Sequence, residues 1–305
     1  MPGAARSHRQ GLDGVCMSNT ITTYEDRALV FGCGAEQLIG VVSAPQQGGP
    51  RGVLIVVGGP QYRAGSHRQF TLLSRALAKQ GIPAMRFDYR GMGDSDGAAR
   101  TFEAVDADLK AAIDMFFAQV PAMREVVIWG LCDAASAAMF YAASDARVCG
   151  LVLLNPWART EAGLAKATLK HYYRARLLDP ALWKKIATGK FALGSAARSL
   201  LGQLTAAFKP KVRAPGADPS CALALPERML AGLSGFTGKV LLIISPADLT
   251  AQEFLDMTLS SPAWQRVLDN PRVQRETLAE ADHTFSRRAW RDQVADWTGS
   301  WVRSW

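Results

Sequence analysis

The chain has 305 residues, 49% apolar and 20% charged, enough for one large core or a core with a smaller insert, in proportions ordinary for a soluble globular protein. No apolar run reaches the roughly 18–20 residues needed to cross a bilayer, which excludes a helical membrane span. The net charge is +8. The stretch from Ala162 to Asp218, with eleven Lys/Arg against two Asp, holds an excess of nine and so accounts for all of it, and with no binding motif beside it this is not a nucleic-acid signature.

Met1 to Met17 is polar, glycine-bearing and basic, without an apolar stretch of signal-peptide type, so residues 1–19 read as a disordered leader and Met17 is an alternative start. The five cysteines, Cys16, Cys33, Cys132, Cys149 and Cys221, are odd in number and widely spaced. With no C-x-x-C pair they suggest neither a zinc site nor a disulfide framework, and they fit a reducing cytoplasm. No metal and no cofactor are expected.

From residue 20 onward, strand-like runs alternate with longer amphipathic segments, the pattern of a mostly parallel sheet wrapped by helices. Ala28–Cys33 and Gln37–Ala44 predict an antiparallel hairpin. Gly52–Val57 is continuous and β-branched, as a strand buried on both faces must be. A helix follows over Ser66–Gln80, closed by Gly81. Next come a strand at Pro83–Asp88, a helix at Phe102–Gln119, a strand at Glu125–Trp129 and an Ala-rich helix at Asp133–Ser144. Val148–Leu154 is another buried strand, stopped by Asn155-Pro156. Residues 158–235 break the alternation with basic, Ala/Leu-rich helical text and a Pro/Gly-rich stretch at Lys209–Pro219, the mark of an inserted helical cap between two strands. The core resumes at 236 with a strand at Lys239–Ser245, a helix at Ala251–Ser260, a strand at Val273–Leu278 and a helix from Ser286 onward. In that last helix Trp290, Val294, Trp297 and Trp301 fall at helical spacing and predict core packing.

Four stretches carry chemistry. In Val126–Ser136 a buried strand runs through Gly130-Leu131-Cys132-Asp133-Ala134 straight into a helix. This resembles the G-x-S-x-G nucleophile elbow of α/β-hydrolases, with Cys132 at the nucleophile position and Ala134 in place of the last glycine. A sharp turn lifts such a side chain over a helix N-terminus, where unpaired N–H groups and the helix dipole favour a thiolate and a developing oxyanion. Asp133 is a departure: a carboxylate about 6 Å from a thiolate disfavours it by roughly 2–3 kcal/mol at an effective dielectric of 20, less if it points to solvent. The alternative for Cys132 taken alone is a buried structural cysteine. Ser95 and Ser136 are poor nucleophile candidates, one in a structural turn and the other inside the helix.

The remaining stretches converge on the same reading. Asp88-Tyr89-Arg90-Gly91-Met92-Gly93-Asp94-Ser95 resembles the D-x-R-G-x-G-x-S turn of the superfamily and is taken as structural. Ser245-Pro246-Ala247-Asp248 follows a late buried strand, where these enzymes keep the acid of the triad; the alternative for Asp248 is an N-cap. Glu280-Ala281-Asp282-His283-Thr284-Phe285 resembles the terminal histidine loop, and His283 alone of the four histidines has the context of a base. Val57-Gly58-Gly59-Pro60-Gln61-Tyr62-Arg63 sits where related enzymes keep an oxyanion loop. Pro60 falls at a position normally counted as a donor but has no N–H. The oxyanion donors are then the Asp133 backbone N–H and either Gly59 or Gln61; Tyr62 and His67 are candidates to line the pocket.

The resemblance to the α/β-hydrolase superfamily runs from about Thr20 to the end, and implies an eight-stranded, mostly parallel sheet flanked by helices, with a helical cap insertion. Gly58–Phe70, the D-x-R-G-x-G-D-S turn and G-L-C-D-A together resemble the exosortase A system-associated hydrolase 1 family, which implies a bacterial context of exosortase and exopolysaccharide machinery. A cysteine in the elbow is also similar to dienelactone hydrolases, whose flanking residues differ from these. The expected function is that of a Cys132-His283-Asp248 hydrolase or acyltransferase acting on an ester or thioester. The basic insert would recruit an anionic acyl carrier, a saccharide or a membrane surface, or is simply a solvated helix face. A member of the fold that only binds or assembles is the alternative.

Overall fold

A computed structural model describes residues 23–158 and 223–305. The expected leader and most of the expected cap, with Cys16, Cys221 and the basic surplus, lie outside the described residues.

Eight strands form one sheet: β1 (Tyr24–Cys33), β2 (Glu36–Pro45), β3 (Arg51–Val56), β4 (Ala84–Asp88), β5 (Glu125–Leu131), β6 (Val148–Leu154), β7 (Lys239–Ile244) and β8 (Val273–Thr277), in the order β1-β2-β4-β3-β5-β6-β7-β8. β2 pairs antiparallel with β1 and β4, and every other pairing is parallel. This is the α/β-hydrolase fold. Its central strands read as unbroken apolar text because both faces are covered. Along β3 the side chains alternate, Leu54 and Val56 entering one core while Val53 and Ile55 enter the other. The first core is closed by helices α2 (Asp106–Gln119), α3 (Asp133–Tyr141), α4 (Leu225–Gly235) and α6 (Pro262–Leu268), and the second by α1 (Gln69–Lys79) and α7 (Arg288–Arg303). α5 (Leu249–Leu259) follows β7 and buries Phe254 against Trp264 of α6.

Some boundaries differ from those the sequence predicts. The helix expected from Ser66 begins at Gln69, because His67 and Arg68 take positive φ values of 52° and 60° and break it into a short 3-10 turn and α1. The helix expected from Phe102 breaks at Val105 and restarts at Asp106. α4 lies within residues 158–235, yet it packs on α3 and sends Met229 and Leu233 into the first core. Trp301 is buried in the second core, with Trp290 and Trp297 packed against it. No described helix is long and apolar enough to cross a membrane.

Candidate active site

The site lies at the carboxyl ends of the central parallel strands, where β5 passes into α3. Cys132 occupies that junction with φ 63° and ψ −123°, a left-handed conformation costly for a side-chain-bearing residue. It is held from three sides. Its N–H donates to the Leu154 carbonyl at 2.9 Å, and its own carbonyl accepts from Ala135 at 3.1 Å and from Trp157 at 3.1 Å. Gly130 is required beneath it, since a Cβ there would lie 2.6 Å from the Ala134 carbonyl. Ala134, at the last elbow position, is itself buried.

His283 comes from the loop after β8. Its Nδ1 lies 2.9 Å from Asp248 Oδ2, and its ring and Cys132 line the same cavity. The Asp248 carboxylate beside it, then Cys132, push the imidazole up to about 10. Asp248 also caps α5, accepting from the Ala251 N–H at 3.0 Å with the same Oδ2, so one oxygen serves the cap and the contact to His283. The histidine loop is braced by Asp282, which accepts from the Ser286 N–H and hydroxyl, and by Phe285, buried at φ 51°.

Two structural residues were not singled out by the sequence. Asn155 at the end of β6 is fully buried with φ 40°, and its Oδ1 accepts from the Ser245 N–H at 2.8 Å. The Ser245 hydroxyl in turn donates to the Ala281 carbonyl, tying the end of β7 to the histidine loop. Asn155-Pro156 signals only a strand end in the sequence; its reach across to β7 depends on tertiary contact. Ser136 donates to the Trp157 carbonyl and Ser95 to the Asp88 carbonyl, so both hydroxyls are committed to the frame. In the D-x-R-G turn the buried Asp88 carboxylate takes the Arg63 side chain, and the buried Asp108 carboxylate holds Arg90 through both oxygens.

Above Cys132 opens a cavity of about 370 Å³, lined by Gly58–Gln61, Phe70, Phe102, Leu131, Cys132, Asp133, Trp157 and His283. Tyr62 and His67, candidates for this lining, are exposed and are not among the lining residues described. The Gln61 side chain turns away to accept from the Ser66 N–H at 3.1 Å. Asp133 does not point to solvent. Its carboxyl group takes the Gly59 N–H on both oxygens, at 2.8 and 2.9 Å. Burial raises its proton affinity against the pull of N–H groups from Gly59, Ala134 and Asp133 itself. Gly58 makes room for this contact, because a Cβ there would fall 2.3 Å from Asp133 Oδ1. Gly59 therefore donates to a side chain, which leaves Gln61 as the expected backbone donor without that commitment. Among the described residues no group of three or more His, Cys, Asp or Glu is placed to hold a metal ion.

A model of the alpha/beta hydrolase family matches residues 53–297, from β3 into the last helix. The chain belongs to that family. Membership classes it with the alpha/beta hydrolases, and solved structures agree in fold. An esterase from Pyrococcus furiosus is 17% identical with a TM-score of 0.62, over 92% of this chain and 93% of that one. A serine hydrolase without a lid from Xanthomonas campestris is 16% identical with a TM-score of 0.55, over 92% and 97%. A dienelactone hydrolase from Anabaena variabilis is 13% identical with a TM-score of 0.56, over 91% and 96%. At such identities the likeness is one of fold. No curated protein matches the sequence. Within the family frame, the elbow of this hydrolase carries sulfur where the elbow motif is usually written with serine.

Proposed function

We propose that this family member is an acyl hydrolase or acyltransferase that uses Cys132 as nucleophile on an ester or thioester. The observation that supports the reading is a convergence: Cys132, lifted at φ 63° onto the start of α3, lines one cavity with His283, whose Nδ1 lies 2.9 Å from Asp248. His283 takes the thiol proton, and Asp248 fixes its tautomer and stabilises the imidazolium. The sulfur forms a bond to the carbonyl carbon while the π pair moves onto oxygen, against the Asp133 N–H. Collapse expels the alcohol or thiol, which takes its proton from His283, and leaves an acyl-cysteine. Water, activated by the same imidazole, completes hydrolysis; an alcohol or amine completes transfer. Phe70, Phe102 and Trp157 give the cavity aromatic walls suited to a small acyl group. The likeness of Gly58–Phe70 and G-L-C-D-A to exosortase-associated hydrolases supports a role beside exopolysaccharide or exosortase machinery, with the basic stretch before Asp218 as the contact for an anionic carrier or surface.

A second reading, a binding or assembly protein without turnover, is favoured by one observation: the Gly59 N–H is taken by Asp133 while Pro60 has none to give. Intact mass after brief exposure to p-nitrophenyl esters of several acyl lengths separates the two. The first reading expects one acyl adduct on the wild type and none on Cys132→Ala. No adduct at any length sinks it. The other described thiols compete little, as Cys33 is buried and burial pushes Cys149 up to about 12.

A further inference from the structure

Phe70, near the start of α1, lines the cavity above Cys132. Its ring also packs edge-on against Trp129 of β5, with centroids 5.7 Å apart. Trp129 belongs to a different hollow, a cleft of about 40 Å³ between α1 and α7, lined largely by apolar residues such as Leu73, Ala76, Leu154 and Ala295. Three pieces of chain pass from one hollow to the other. Gln69 lines the cleft and Phe70 the cavity; Trp129 the cleft and Leu131 the cavity; Phe285 the cleft and His283 the cavity. Among the described residues the two linings share no member. The Phe70 ring is 1% exposed and confined. Gly65, at φ 74°, closes on it so tightly that a Cβ there would fall 2.7 Å from Phe70 Cδ2.

The chemistry of the site says what meets this wall. Four groups surround the tetrahedral carbon formed on Cys132. One is the sulfur, and the oxyanion takes the Asp133 N–H. The leaving group faces His283, which gives it a proton. The acyl chain is left with the rest of the lining, where Phe70, Leu131, Phe102 and Trp157 are apolar. We propose that Phe70 is the specificity-determining residue of this acyl subsite: its ring closes the cavity against the cleft between α1 and α7, holding the enzyme to short acyl groups. This deepens the reading of Cys132 as nucleophile and rests on it. Removing the ring joins the two hollows, and the apolar walls of the cleft then receive the end of a longer chain.

The test is acylation by p-nitrophenyl esters from acetyl to octanoyl, followed by p-nitrophenol release and intact mass. It compares wild type, Phe70→Ala and the double variant Phe70→Ala/Ala76→Leu, each referred to its own acetyl rate. Ala76 lines the cleft and not the cavity, so leucine there refills the cleft alone. In wild type the relative rate should fall by about 10-fold or more for the first methylene beyond the limit, the scale on which apolar pockets discriminate. Phe70→Ala should move that limit to longer chains, and Ala76→Leu should move it back. If Phe70→Ala fails to fold, Phe70→Leu gives the same comparison with a smaller shift. The proposal is overturned by a wild type that takes octanoyl as readily as acetyl, or by a limit that stays put when the ring is removed. It is also overturned if the gain survives Ala76→Leu, since the cleft then plays no part. A wild type that forms no adduct even with the acetyl ester removes the nucleophile reading, and the proposal with it, a result distinct from an adduct whose length limit ignores Phe70.

Discussion

His283 concentrates the electrostatics of the site on one ring. Its imidazolium is favoured first by Asp248 and then by Cys132, which together carry its titration up to about 10. The sign follows directly: a group raised in the folded state stabilises the fold fully below its unfolded value, about 6.5, and that contribution is lost as pH rises through about 10. Asp248→Asn removes the larger of the two supports while keeping the shape of the cap on α5. The His283 resonance, followed by NMR, should then titrate well below the wild-type position, and acylation should slow by about 10²–10⁴-fold, as for triad aspartates replaced by amides. An unchanged midpoint would mean that Asp248 serves α5 alone. The sequence brings both readings of Asp248 into view, because an acid after a buried strand and before a helix fits either. It could not show that one oxygen meets both the α5 N–H and His283, since that depends on a histidine loop 35 residues further on. The Asp133 contact to Gly59, across 74 residues, was hidden for the same reason.

Among the elements, legibility follows burial. β3, β5, β6 and β7 are apolar on both faces, and their text alone places them within a residue or two. α4 escaped notice because it sits at the end of the long segment that breaks the strand–helix alternation, and only Met229 and Leu233 of its residues are fully buried. α6 is seven residues long, too short for an amphipathic pattern to stand out. The break at His67 and Arg68 carries no residue signal at all, since left-handed backbone is normally read from Gly or Asn. α4 nevertheless meets α3 very closely: a Cβ on Gly232 would fall 2.1 Å from the Met139 carbonyl oxygen, a backbone atom that cannot step aside. Gly232→Ala therefore sets two effects against each other. Helix propensity gains about 0.8–1 kcal/mol, while forced separation of the helices costs about 1–3 kcal/mol. Urea unfolding is expected to show a net loss of up to about 2 kcal/mol, being the difference of these terms. A gain would mean that α4 is free to shift away from α3.

At the scale of the molecule, the first strand of the parallel sheet is fastened to the end of the chain by one side chain. Arg51 at the start of β3 donates to the carbonyls of Val302 and Trp305, both at 2.6 Å, and to Glu125 on β5 at 2.5 Å. Its guanidinium lies 3.6 Å from the Trp305 ring centroid, and that ring packs edge-on against Trp301 in the second core. The side chain is 14% exposed, so these contacts are little screened. The clamp spans β3, β5 and α7, and α7 is one of the two helices covering the second core. Losing it should weaken a whole face of the sheet rather than fray a terminus. Arg51→Ala strands a half-buried Glu125 and two carbonyls while removing the stacked surface, a loss of about 2–4 kcal/mol on the scale of charged hydrogen bonds and lost packing. In a chain of this size that lowers Tm by about 4–12 °C. Arg51→Lys keeps the charge but has neither the planar fork nor the stacking face, and so should recover only part of the loss. Thermal unfolding of the two variants decides it: a lysine variant as stable as wild type would make the clamp a matter of charge alone, whereas partial recovery identifies the shape of the guanidinium as what holds α7 to the sheet.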